Sequence, residues 1–406
     1  MDLDAGLGAN LRPDLGADLY VAITNHGFGH ATRTASVLAV LQRLRPDLQL
    51  VLVTGAPRWL LESYLPGPFE YRPRKLDVGV VQADSLQMDF VATRVELEGI
   101  RDRQAQMIAE EASWIRDRGI RLVLGDIPPL AAPIAQAAGV PCWMMSNFGW
   151  NFIYRDWGAE FEEICRWIED CFGQCDRLFR LPFHEPMTTF GQIEDVGLTG
   201  GTPAYDLPSL RQQIGLTAPP ERTVLLTFGG LGLEQIPYDR LAQFPDWQFI
   251  TFDAHAPALD NLINLNRLGS HRREQDSPRL DLGKRDRPFA PLYRPVDVMP
   301  LCRCVISKPG YSTFAEACGQ DTPVISLTRQ GFAEAALLLD ALPDWVPHRI
   351  LEQADFFEGD WSFLREPLVP VRAGLPDPDQ HPPRHRPEAK RGNEAIAGAI
   401  AKYLSP

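Results

Sequence analysis

Two α/β doubly wound domains facing each other across a cleft are the architecture this sequence predicts, and three observations carry that expectation. Apolar runs of strand length recur along the chain, with helical patterns between them. The runs are too apolar to leave one face in water, which calls for parallel sheets covered on both sides. The pattern also stops near residue 199 and starts again near 223, across a stretch rich in Gly, Pro and polar residues.

In chain order, strands are expected at LYVAITN (19–25), LQLVLVTG (48–55), RLVLGDI (121–127), VPCWMMSN (140–147) and RLFRLPF (177–183), with helical spacing over Ala31–Arg45 and Val95–Gly119. A second series follows at TVLLTFGG (223–230), WQFITFDA (247–254), RCVISKPG (303–310) and TPVISLT (322–328). Residues 365–391, dense in Pro and charge, read as a loop or extended crossing segment. Asn393–Leu404 spaces Ala, Ile and Leu as a closing helix does. The expected division is a first Rossmann-like domain over 1–200, a linker over 201–222, a second Rossmann-like domain over 223–390 and a C-terminal helix over 391–406. No internal repeat of fixed period is present.

A chain of 406 residues is long enough to bury a full core in each of two domains, and 45% hydrophobic with 23% charged residues excludes global disorder. The net charge of −13 argues against nucleic acid or an anionic membrane surface as the main partner, because both select a positive field. Seven cysteines, an odd number without paired CxxC motifs, read as buried thiols in a reducing cytoplasm. Cys302 and Cys304 stand too close for a zinc ligand pair. The acidic N-terminus lacks the apolar core of a signal peptide. The longest near-apolar stretch, Leu130–Met145, is broken by Pro133, Gln136 and Pro141, so no spanning helix is expected. A cytoplasmic location follows, with peripheral membrane contact left open.

Ligands of doubly wound sheets bind in the crevice at the carboxyl ends of the strands, so the loops there are the place to look for chemistry. Asn25-His26-Gly27-Phe28-Gly29-His30-Ala31-Thr32-Arg33 leaves the first strand and opens a helix. Its glycines allow a tight turn and close approach of a ligand to N–H groups at the helix start. No third Gly falls in the dinucleotide spacing and no acidic residue ends the second strand, which disfavours a nicotinamide cofactor. Glycines alone would make only a turn, but two histidines within five residues add chemistry. At a helix start a positive charge is disfavoured, so His30 is suited to accept a proton. Asp126 ends another strand and is placed to orient that imidazole. Capping the following helix is its plainer alternative.

The second domain repeats the device. In Ser307-Lys308-Pro309-Gly310-Tyr311-Ser312-Thr313-Phe314-Ala315-Glu316, the residues Gly310, Ser312 and Thr313 offer N–H groups and hydroxyls to a phosphate. Glu316, one turn on, suits two neighbouring hydroxyls of a ribose, or else completes a capping box. Gly229 and Gly230 let a diphosphate approach the backbone, or simply form a turn. Arg329, Gln330 and Glu334 gather polar groups where a sugar would lie, although a solvated helix start reads the same way.

These residues resemble those of GT-B nucleotide-sugar glycosyltransferases, close to the lipid-linked N-acetylglucosaminyltransferase branch. They are more similar still to the glycosyltransferase-like N-terminal part of plant arabinokinases and its free-standing bacterial relatives. The matching motifs are HGFGHATR (26–33), DVGVVQADS (77–85), GDIPPLA (125–131), KPGYSTFAEA (308–317) and RQGFAE (329–334), in order over about residues 20–342. The resemblance implies that His30 is the catalytic base and Asp126 its partner. It implies that Gly310, Ser312 and Thr313 hold the donor phosphates, Glu316 the ribose, and Glu334 with Gln330 the transferred sugar. His26, Gly27, Gly29 and Arg33 then form the acceptor-side loop. One departure is Gln330-Gly331, where the family carries an acidic or basic residue between the Arg and the Phe.

The expected function is inverting transfer of a sugar from a nucleoside-diphosphate donor, UDP-linked by expectation, to an acceptor hydroxyl. No cofactor and no metal are expected, since no DxD motif follows a strand and the helix starts can meet the leaving diphosphate. Two alternatives stand beside it. One is a catalytically silent sugar-nucleotide-binding module, and the other a GT-B sugar-nucleotide epimerase with further acid/base carboxylates in the cleft. His184, His255, His271, His348, His381 and His385 read as structural or solvated. Trp143, Phe148, Trp150 and Trp157 are expected near the cleft side of domain one, as core or as a platform for the acceptor.

Overall fold

The apolar runs do become parallel strands, and their order sets where the loops emerge. The computed structural model describes residues 17–82, 86–230, 232–233, 235–268, 293–372 and 387–405. The first sheet comprises β1 (Leu19–Ile23), β2 (Leu50–Val53), β3 (Glu70–Arg72), β4 (Leu122–Asp126), β5 (Cys142–Ser146), β6 (Arg177–Arg180) and β7 (Ile193–Asp195), ordered β3-β2-β1-β4-β5-β6-β7. The second comprises β8 (Thr223–Leu226), β9 (Gln248–Thr251), β10 (Leu262–Asn264), β11 (Cys304–Ser307), β12 (Val324–Leu327) and β13 (His348–Leu351), ordered β10-β9-β8-β11-β12-β13. Their pairings are parallel.

Each sheet winds outward one way and then restarts on the other side of its first strand. The switch points therefore fall between β1 and β4 and between β8 and β11, which is where such sheets open a crevice. The central strands β1, β2, β4 and β5 are buried along their whole length, as their composition requires. Edge strands β3 and β7 carry exposed Glu70, Glu194 and Asp195, so no apolar run marks them in the sequence. On one face the apolar core continues from the first domain into the second through Phe183, whose ring lies 6.2 Å from Tyr311 and 5.5 Å from Trp345.

The 201–222 segment is not simply a linker. It holds a helix, Leu207–Ile214, whose N-cap Asp206 accepts the Ser209 N–H at 3.1 Å and whose end is marked by Gly215. An Asp cap with Pro208 in the first turn starts a helix even in a polar, Pro-rich stretch. The long helix of domain one starts at Phe90, earlier than expected, because Asp89 caps it through the Ala92 N–H at 2.8 Å. Of the crossing segment at 365–391, residues 373–386 lie outside the described residues, as do His271, His381 and His385.

The C-terminal helix, Gly392–Tyr403, returns to domain one, where Arg45 and Arg121 donate to the Leu404 carbonyl at 3.5 and 2.8 Å. Its start is welded to the chain entering the linker: Leu198 N–H meets the Ala389 carbonyl at 2.8 Å, and Gly392 N–H meets the Leu198 carbonyl at 3.0 Å. A Cβ on Gly392 would lie 2.0 Å from the Gly197 carbonyl oxygen. Gly392→Ala is therefore expected to cost about 1–3 kcal/mol, the usual penalty of overpacking, read as a lower midpoint of urea unfolding.

All seven cysteines are buried and unbridged. Burial pushes the Cys165 thiol up to about 11 and the Cys304 thiol up to about 12, which leaves little thiolate for chemistry. Among the described residues no helix is long and apolar enough to cross a membrane.

Candidate active site

Register brings the two halves of the first site together, since Ile23 at the end of β1 pairs with Asp126 at the end of β4. The turn out of β1 is held by buried Asp77, which accepts from the Thr24 hydroxyl and, at 2.9 Å, from the Asn25 N–H. The helix Gly29–Leu44 then starts, with His30 in its first turn.

His30 Nδ1 lies 2.8 Å from Asp126 Oδ1. Arg33, one turn on, donates to the same carboxylate through Nη2, and through Nε at 2.8 Å, while the Thr34 hydroxyl donates at 2.7 Å. Asp126 is wholly buried, which by itself would push its carboxyl up. The charges of Arg33 and His30 and their hydrogen bonds outweigh burial and hold it well below the usual carboxylate range. An ionised carboxylate only accepts, so where His30 donates to Asp126 its proton sits on Nδ1 and Nε2 is left as the lone pair, while Arg33 Nη2 approaches the same Nδ1 at 3.0 Å. Capping is not what Asp126 does, since the helix Ala131–Ala138 has no side-chain cap.

His26 is set apart from His30. Its Nδ1 accepts the Val80 N–H at 3.2 Å and its ring stacks on Phe332 at 5.6 Å. Burial, then the charges of His30, Arg329 and Lys308, push its imidazole well below the ordinary range. Phe148 and Trp150 flank His30 with ring centroids at 5.9 and 6.0 Å, and both are buried. Trp157 donates to the Gly331 carbonyl of the other domain at 2.7 Å. Trp143 lies elsewhere, against Phe179 and Tyr403 of the C-terminal helix, so it is no part of an acceptor platform.

The opposite wall is the start of the helix Tyr311–Gly319, preceded by Gly310 in extended backbone. Between the walls lies a cavity of about 100 Å³. Domain one lines it with His26, Gly27, Gly29, His30 and Arg33, and domain two with Gly229, Gly230, Gly310, Ser312, Thr313, Arg329 and Glu334. Phe28, Gln82, Ser307, Lys308, Tyr311 and Phe332 complete the lining. The two walls already touch. The Ser312 hydroxyl donates to the Gly29 carbonyl at 2.7 Å, and a Cβ on Gly230 would lie 2.4 Å from the Phe28 ring.

Two expected donor residues are not at the cavity. Gln330 is exposed and does not line it. Glu316 is buried one turn below Ser312, and its Oε1 accepts from the Tyr64 hydroxyl at 3.1 Å and the Gly201 N–H at 3.0 Å. Glu316 does not line the cavity, and no capping-box bond is present at this helix start. Burial pushes the Glu316 carboxyl up to about 7.

Sequence reasoning missed Asn147, Gln82, Lys308 and Asp77. Asn147 directly follows β5 and Lys308 directly follows β11, so their position after strands was the available signal. Gln82 lies within the 77–85 motif, and its buried Nε2 has no hydrogen-bond partner among the described residues. Such an orphan donor at a cavity wall is a place for a ligand oxygen. His184, His255 and His348 do not line the cavity. Among the described residues no cluster of three or more His, Cys, Asp or Glu side chains could hold a metal.

Two parallel sheets with facing switch points and a cleft between them constitute the GT-B fold, and comparison with solved structures shows it. UGT89C1 of Arabidopsis thaliana, complexed with quercetin, superposes with a TM-score of 0.57 at 11% identity, over 95% of this chain and 100% of that one. Os79 from O. sativa, in complex with U2F and trichothecene, gives 0.57 at 14% identity over 96% and 100%. CalG4, the calicheamicin glycosyltransferase, gives 0.55 at 14% identity over 96% and 98%. In sequence the chain is similar to L-arabinokinase of Arabidopsis thaliana, 27% identical over 356 residues, which is 86% of this chain and 32% of that protein. The chain thus spans about a third of the length of the curated relative it matches. No family model matches the chain.

Proposed function

We propose that this protein is an inverting glycosyltransferase that moves a sugar from a nucleoside-diphosphate donor, UDP-linked by expectation, to an acceptor hydroxyl. The observation that carries the reading is the His30–Asp126 pair at 2.8 Å, set across one cavity from the helix start at Gly310. His30 Nε2 takes the acceptor hydroxyl proton, and the acceptor oxygen bonds to the anomeric carbon from the face opposite the diphosphate. The carbon–oxygen bond to the diphosphate breaks, and its electron pair stays on the phosphate oxygen. Asp126 holds Nδ1–H throughout and offsets the imidazolium that forms. The leaving diphosphate is met by N–H groups at the Tyr311 helix start and by Lys308 and Arg329, so the reading needs neither a metal nor a cofactor. The UDP-complexed UGT89C1 supports the choice of nucleotide.

Ligand pockets run to roughly 300–1,000 Å³, so a cavity of about 100 Å³ admits a nucleotide sugar only when the domains part. Closure upon the donor then expels water and completes the site. A silent binding module is the second reading, favoured by one observation: Gly29 and Phe28 already cover Ser312 and Gly230. An epimerase would need additional carboxylates, and Glu334 is the one carboxylate lining the cavity among the described residues.

Thermal unfolding with UDP, UDP-glucose, UDP-galactose and UDP-N-acetylglucosamine, against ADP and GDP, tests the donor. A UDP compound at a hundred times its Kd is expected to add about 2.7 kcal/mol of stability. No shift with any UDP compound at millimolar concentration would remove the reading.

A further inference from the structure

One buried amide joins the His30–Asp126 pair to the other domain. Asn147 is wholly buried directly after β5. Its Oδ1 accepts Arg33 Nη1 at 2.9 Å, on the guanidinium that also holds Asp126. Its Nδ2 donates to Glu334 Oε1 at 2.8 Å and to the Phe183 carbonyl at 3.4 Å. Glu334 opens the helix Glu334–Ala341 of domain two, is itself buried, and lines the cavity. A continuous line of hydrogen bonds thus runs Asp126–Arg33–Asn147–Glu334 across the cleft.

We propose that Asn147 is a positioning residue that assembles the sugar seat only when the domains are docked, by fixing the Glu334 carboxylate against the His30–Asp126 pair. This deepens the glycosyltransferase reading and rests on it for the identity of the ligand. The chemistry is specific to an amide, because the position must accept from a guanidinium and donate to a carboxylate. A carboxylate there would meet Glu334 charge to charge, and an apolar group would leave Arg33 and Glu334 short of a partner. With Oε1 committed to Asn147, the other carboxylate oxygen is the one offered to a sugar hydroxyl. Parting the domains to admit a donor breaks this bond, and closing on the donor remakes it. The sugar is then gripped only in the arrangement where the base is in place.

The test pairs Asn147→Asp with the double variant Asn147→Asp/Glu334→Gln, which reverses the direction of the bond and restores it. In the free protein, amide hydrogen exchange in the 334–341 helix is expected to rise roughly tenfold in the single variant, as loss of a charge-assisted bond implies. It should return toward wild type in the double variant. In calorimetry UDP should bind all three proteins within about threefold, since domain two holds the nucleotide. The tightest UDP-sugar of the set above should lose roughly tenfold relative to UDP in the single variant. Unchanged exchange in the single variant would overturn the coupling, and failure of the double variant to recover would overturn the pairwise assignment. If wild type binds none of the UDP compounds, the donor reading falls while the exchange comparison still decides the role of Asn147.

Discussion

His30→Ala is expected to lower sugar transfer by about 10²–10⁴-fold, the usual worth of a positioned general base, while UDP binds as in wild type. The two effects separate because His30 belongs to the first domain and the proposed phosphate seat, at the Tyr311 helix start, to the second. Release of UDP reports the reaction whether the acceptor is a sugar, a lipid or water, so slow donor hydrolysis is itself a usable assay. Turnover that survives His30→Ala would remove the base assignment, and turnover that is absent in wild type would favour the silent module. Asp126→Asn is not an equivalent probe. Asp126 also offsets Arg33, which is 2% exposed, so the substitution leaves a buried guanidinium without its charge partner. A loss of about 3–5 kcal/mol of stability is expected, read as a lower unfolding midpoint before any loss of rate is interpreted.

Glu316→Gln is expected to change the pH dependence of stability. Burial is the largest influence on the Glu316 carboxyl and raises it; the Gly201 N–H, the Tyr64 hydroxyl and Arg294 pull it down, and Asp297 pushes it up. The outcome is a rise from 4.5 to about 7 on folding. A raised carboxyl favours the folded state while protonated. Its contribution is fully present below pH 4.5 and is lost as pH rises through about 7. That span corresponds to roughly 3 kcal/mol. Glutamine accepts from the same two donors and does not ionise, so the variant should match wild type near pH 4 and exceed it by roughly 3 kcal/mol at pH 8. Urea unfolding at both pH values reads this directly, and parallel curves for the two proteins would contradict it. The same variant separates the ribose role implied by the family resemblance from the placement observed. UDP affinity should fall several-fold under the first and stay close to wild type under the second.

Much of the molecule follows from the order of residues alone. Alternation of apolar runs with helical spacing yields two parallel sheets, because a strand apolar on both faces is stable only between layers. The Gly-bearing loops after β1, β8 and β11 could be read as site loops for the same reason, since parallel strands put all their carboxyl ends on one edge. His30 and Asp126 were legible as partners because Asp126 ends one apolar strand and His30 opens the helix that follows another. The helix at Leu207–Ile214 was hidden by the polar, Pro-rich composition around it, and edge strands β3 and β7 by the absence of an apolar run.

Tertiary structure decided the rest. Residues 187 positions apart, as Asn147 and Glu334 are, cannot be paired by pattern; that Asn147 bridges Arg33 to Glu334, Phe28 covers Gly230 and Gln82 joins the cavity depends on how the two sheets dock. Glu316 shows the distinction most sharply. Its motif places it one turn below the phosphate loop, but the side chain's direction is set by Tyr64 and Gly201, 252 and 115 residues away in sequence. Local sequence determines the strands, the loops and the residue types at their ends, because propensity and periodicity act over a few residues. Which of those side chains share a cavity is determined by packing between domains, where burial and long-range hydrogen bonds outweigh any local preference.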